Sequence, residues 1–233
     1  MSVHMVDGMI NFSHLLFCLI VLAGSAFGVS KPHAIAFSKW TAVKWYIGSG
    51  DSQPLDLKIR TLYVDGRAKE FTAGPVHDIT DHLFVVRRVF RVNDSLPQEQ
   101  ETVPRWRWQR GGWLLVSRVT GHISSFSLPD FDSYYSVASW YRDYVAYCGV
   151  AEEGHKINAL IVQLGRRKPI LKKAVGETAS GEMPDSICST PGWDREPTRV
   201  TFETSGNQKL TYTVQRHAAD LVNEEEEEEE ASK

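Results

Sequence analysis

"VASWYRDYVAYCGVAEEGHKINALIVQLGRRKPILKK" spans residues 137–173, and its reading decides the fold. Within it, "DYVAYCGV" (143–150) and "INALIVQL" (157–164) are apolar runs of strand length, rich in β-branched and aromatic residues. The cluster "GRRKP" closes the second run with a turn. The same texture runs outward in both directions. "WTAVKWYIG" (40–48), "LDLKIRTLYVDG" (55–66), "HLFVVRRVFRV" (82–92) and "GWLLVSRV" (112–119) precede it, and "TRVTFET" (198–204) with "KLTYTVQ" (209–215) follows. No stretch before residue 216 keeps a helical period for three turns, so short strands are predicted throughout. The end, "RHAADLVNEEEEEEE", is predicted as a last helix fraying into a tail.

Three hairpins share one pattern. "LYVDGRAKEF" (62–71), "LLVSRVTGHISSF" (114–126) and "LIVQLGRRKPIL" (160–171) each run apolar strand, polar turn with glycine, second strand. Each follows another apolar strand, and Asp81 and Asp143 stand just before two of these. A unit recurring three times at this spacing points to a propeller or a similar array. The third unit resembles one blade of the β-propellers in TolB-type periplasmic proteins and prolyl oligopeptidases. Ser139-Trp140 and Arg142-Asp143 match the turn, Tyr144 to Tyr147 the strand, and Leu160 to Leu164 the first strand of the hairpin; the usual Asp-Gly is replaced by Asp143-Tyr144. The resemblance implies an all-β fold of antiparallel, four-stranded, blade-like repeats, a partial or small β-propeller, with a β-sandwich as the alternative. It implies no particular activity, because propellers host many. The terminal pair at 198–215 would join the strand near "HAIAF" (33–37) as a fourth small blade.

Around this all-β domain (residues 29–217, repeats near 36–74, 77–129 and 130–176) lie two compositional outliers. "LLFCLIVLAGSAFGV" (15–29) has the length of a signal-peptide apolar region and ends in small residues, although no Lys or Arg precedes Lys31. Residues 1–28 therefore read as a cleaved leader, making the protein periplasmic or secreted, with a membrane anchor over 9–29 as the alternative. "LAGS" (22–25) mimics a lipoprotein box, but Ser25 cannot form the thioether. Residues 218–233 form an acidic tail; setting aside its seven consecutive glutamates (224–230) turns the formal charge of −3 into +4. With Cys18 lost in the leader, Cys148 and Cys188 remain, and an exported chain predicts that they are bridged.

Candidate sites are few. "HDITDH" (77–82) offers mixed nitrogen and oxygen ligands. Strand alternation, however, puts His77 and Asp81 on one face and Asp78 and His82 on the other, so it reads as a turn and strand entry. "RWRWQRGGW" (105–113) alternates Arg105 and Arg107 with Trp106 and Trp108. Together with Arg87 and Arg88 they form the expected binding face, since arginine grips anions and indoles stack on ligands. Arg87 and Arg88 are adjacent, so one must point inward, where a carboxylate or a channel has to receive it. Asn93-Asp94-Ser95 is a glycosylation sequon. No nucleophile elbow, phosphate loop, dinucleotide fingerprint or His-Glu-x-x-His occurs.

The sequence thus predicts an exported, non-enzymatic binding or envelope interaction module, with no catalytic residue, metal or cofactor assigned. Its partner would be a protein or an acidic polysaccharide; nucleic acid is disfavoured by export and modest charge. The membrane would be touched only through an uncleaved leader. The alternatives are a hydrolase or metal-dependent enzyme using His77, Asp81, His82 or His122, and a structural cell-surface subunit that closes a ring as a homo-oligomer.

Overall fold

The computed structural model describes residues 32–46, 54–95, 104–151, 156–177, 188–204 and 208–222. Residues 1–28, expected to be a leader, and the glutamate run fall outside them. Among the described residues every regular element is a strand.

The first sheet contains β1 (Ile35–Phe37), β2 (Thr41–Trp45), β3 (Leu55–Val64), β4 (Arg67–Thr80), β5 (Leu83–Asn93), β6 (Trp106–Ser117) and β7 (Ile123–Phe126). β2–β3–β4 and β5–β6–β7 are antiparallel meanders, and they contain the hairpins at 62–71 and 114–126. They are not separate units, because β4 pairs with β5 and a single parallel pair, Trp45 with Trp108, links β2 to β6. The β3–β4 hairpin turns on Asp65-Gly66, both at positive φ (52° and 75°), the conformation that a tight Asp-Gly turn requires.

The second sheet is the meander β8 (Ser139–Tyr141), β9 (Tyr144–Val150), β10 (Lys156–Gln163), β11 (Leu171–Glu177). The third is the meander β12 (Gly192–Asp194), β13 (Arg199–Glu203), β14 (Lys209–Gln215), β15 (Ala218–Leu221). The protein is therefore all-β with antiparallel sheets, as expected.

Two expectations are corrected. β1 pairs with β3 and not with the terminal pair β13–β14, which finds its neighbours in β12 and β15. Residues 218–221 form a strand and not the start of a helix: Arg216 takes a positive φ of 50°, the chain reverses, and β15 bonds the open edge of β14.

The second sheet lies between the other two, which explains the unbroken apolar runs of β9 and β10: a strand buried on both faces has no polar side. Val145, Tyr147, Leu160 and Val162 pack on Val85, Trp113 and Leu115 of the first sheet. The alternate residues Ala146, Cys148, Ala159 and Ile161 pack on Val200, Phe202, Tyr212 and Val214 of the third. The Cys148–Cys188 disulfide, with Cα atoms 6.1 Å apart, ties β9 to the segment leading into β12. A smaller core (Leu62, Phe84, Val86, Leu114, Val116) fills the far face of the first sheet.

Candidate functional site: a basic cavity between the first and second sheets

Two irregularities in the first sheet shape a cavity of about 390 Å³. On one side of β5, β4 loses register between Ala73 and His77, where Gly74 takes a φ of 70° and Pro75 lacks a ladder donor. On the other side, β6 carries an extra residue between Trp113 and Arg110. A side chain on Gly111 there would stand 3.1 Å from the Phe90 ring and 3.3 Å from the Arg88 carbonyl, so glycine suits the bulge. Arg87 lies between the two irregular segments and is only 7% exposed.

The inward partner of the Arg87/Arg88 pair is thus Arg87, and backbone carbonyls receive it. Its Nε donates to the Gly111 carbonyl (2.6 Å) and an Nη to the Ser133 carbonyl (2.9 Å). Burial first, and the neighbouring Arg110 next, pull its guanidinium down from the ordinary arginine range to about 9, with Asp132 acting the other way. Burial also lowers Arg110, again opposed by Asp132. Asp132 itself is engaged: its Oδ1 accepts from the Tyr134 and Tyr135 amides at 2.6 and 3.0 Å. Arg110 lies over the Trp45 ring at 4.7 Å and makes no hydrogen bond or ion pair among the described residues.

An aromatic run lines the other wall. Trp140 of β8 stacks with His77 (5.7 Å, 27°) and meets Trp113 edge-on (5.2 Å, 68°). His77 Nε2 donates to the Arg142 carbonyl at 2.8 Å, which fixes that ring. The buried indole N–H groups of Trp113 and Trp140 have no partner, a cost the fold carries beside the cavity. Pro75, Val76, Val137 and Ala138 complete an apolar surface, and among the described residues no carboxylate lines it. The arrangement can bind an anion through its two guanidiniums, with the Ser139 and Thr190 hydroxyls also on the lining.

The other sequence-derived candidates are placed elsewhere. Arg88 points away from the cavity and pairs with Glu70 at 3.0 Å. Arg107 pairs with Asp94 at 2.8 Å and lies over Tyr46, while Arg105 reaches Asp94 at 3.6 Å. Trp106 is 58% exposed, and Arg91 lies between it and Trp108 at 5.7 and 5.3 Å. Asn93 of the sequon accepts from the Ser95 and Arg105 amides.

"HDITDH" is split by the fold as well as by alternation. His77 and Asp78 lie in the last stretch of β4, which runs to Thr80, whereas Asp81 and His82 make the two-residue turn into β5. Asp78 is held by Arg118 at 2.7 Å, and the His82 amide by the Thr80 hydroxyl. His122 sits in the β6–β7 turn, its amide on Thr120 Oγ1. Among the described residues no three His, Cys, Asp or Glu side chains converge as a metal site needs.

Sequence reasoning singled out Arg87 but missed Arg110, Trp113 and Trp140 as its companions. The doubled glycine of "RGGW" was the available signal, because adjacent glycines in a strand mark a bulge. No protein-family model, curated protein or solved structure matches the chain.

Proposed function

We propose that this protein is an exported, non-enzymatic binding module whose ligand is acidic and occupies the cavity between the first and second sheets. One observation carries the reading: Arg87 and Arg110 share one cavity, and among the described residues Asp132 is the one carboxylate that acts on both, so the two guanidiniums leave a surplus of positive charge. Uncompensated charge at a part-buried site is costly, and it persists where a ligand supplies the counter-charge. Export is supported by the apolar leader and by the disulfide, which suits an oxidising compartment. The finer fold reading, a partial or small propeller, draws support from two successive four-stranded meanders stacked face to face.

The test is a titration of the full chain with acidic probes, followed by tryptophan fluorescence, since Trp113 and Trp140 line the cavity. Binding that saturates and is weakened by Arg110→Gln supports the reading. Binding indifferent to that substitution, or none at all, overturns it. A second, surface-borne reading is favoured by the exposed Trp106 with Arg91 beside it, a stacking platform for an acidic polysaccharide. Trp106→Ala, which leaves the cavity untouched, separates the two.

A further inference from the structure

We infer that the cavity takes the carboxylate of a small organic monoacid with a compact apolar body, an inference that rests on the binding-module reading above. Charge limits the ligand first. Among the described residues one carboxylate, Asp132, acts on both guanidiniums, and its Oδ1 already accepts two backbone amides. The surplus is one positive charge, which a monoanion neutralises and a phosphate dianion or polyuronate exceeds.

Geometry limits it next. The Gly111 and Ser133 carbonyls hold the Arg87 guanidinium by Nε and one Nη, so its plane is fixed before any ligand arrives. Its other Nη and the Arg110 guanidinium make no hydrogen bond among the described residues. A planar carboxylate accepts from both, forming the charge-assisted bonds that guanidinium favours.

The remaining wall sets the rest of the molecule. Pro75, Val76, Ala138, Trp113 and Trp140 offer apolar surface, and the two indole N–H groups are shut away from solvent. A sugar ring placed there would bury hydroxyls with few partners, whereas a phenyl or alkyl body replaces water with packing. The cavity volume of about 390 Å³ lies in the range of small-molecule sites.

The experiment is a calorimetric and fluorescence titration of the full chain with phenylacetate and hexanoate. The controls are 2-phenylethanol, acetate, inorganic phosphate and an oligogalacturonate. Phenylacetate or hexanoate should saturate one site, about tenfold or more tighter than acetate or 2-phenylethanol, because each control lacks either the body or the charge. Arg110→Gln should weaken that binding about tenfold or more, the consequence of losing a charge-assisted bond. Ala138→Phe, which fills the cavity and leaves every charge in place, should abolish it, and circular dichroism checks that both variants are folded. If phosphate or the oligogalacturonate binds through Arg110 while the two apolar acids do not, this inference is overturned and the binding-module reading stands. If no acid binds, or if Arg110→Gln and Ala138→Phe both leave binding unchanged while folded, both are overturned.

Discussion

Arg87 shows how one residue can be expensive and useful together. Its charge sits behind 93% of its surface and rests on two neutral carbonyls, so burial disfavours the charged form. The sign follows from that direction. A cation whose folded pKa is lowered carries its penalty at all lower pH, and the penalty fades only as the pH rises through about 9 towards the ordinary arginine value. Anion binding should run the opposite way: it should hold from neutral pH to about 9 and weaken above it, as the unliganded guanidinium loses its proton. Affinities of phenylacetate measured across pH 7 to 10, in units where the acid stays ionised, check this; an affinity that rises with pH would contradict it. A different residue marks where the backbone leaves no room. A Cβ on Gly149 would lie 2.2 Å from the Asp130 carbonyl oxygen, and Asp130 cannot retreat freely because its carboxylate holds Lys172 at 2.8 Å and Asn158 at 3.2 Å. Gly149→Ala should therefore destabilise the fold by about 3 kcal/mol, read from the urea midpoint.

Among the elements, β1 is one of three short strands at the edges of their sheets. Three residues long, it pairs only with β3 and is pinned by Asp65, which accepts from His33 Nδ1 at 2.6 Å and from the Ala34 amide at 3.0 Å. These two hydrogen bonds, His33 first, hold the Asp65 carboxyl below the ordinary carboxylate range. A depressed carboxylate contributes its stability above the unfolded pKa and loses it as the pH falls through the folded one. Hydrogen exchange at Ile35, Ala36 and Phe37 should thus accelerate below about pH 4 relative to β9, after correction for intrinsic rates. Asp65→Asn should loosen the same amides at neutral pH. Equal protection of β1 in wild type and variant would show the pin to be idle.

On the scale of the whole molecule the second sheet is a shared wall: it closes the cavity on one face and the larger core on the other. The disulfide packs in the core on the second face, joining residues 40 apart in sequence. Replacing Cys148 and Cys188 by alanine should cost about 4 kcal/mol on the chain-entropy account. Ligand affinity well below the melting transition should hardly change, because Arg87, Arg110 and Trp113 belong to the first sheet. Thermal unfolding with and without ligand separates the two effects; a large loss of affinity in folded double variant would mean that the third sheet shapes the site.

What the sequence determined by itself is local. Side-chain alternation and turn residues act over a few positions, so the strands, their antiparallel hairpins and the Asp65-Gly66 turn were legible, as was the turn at Asp81-His82 into β5. Adjacent residues on a strand must face opposite ways, so it was also legible that one of Arg87 and Arg88 turns inward. Which one, and what receives it, depended on contacts across 24 and 46 positions of chain. The cavity needs β4, β6 and β8 at once, and no local pattern ties Trp140 to Trp113 or Arg110 to Asp132. Residues 218–221 teach the same in reverse. Their helical composition is a weak preference, and the unpaired edge of β14 outweighed it once the third sheet had formed. Strand identity is written in neighbouring side chains; sheet partners and the charge surplus between sheets arise only when distant segments pack.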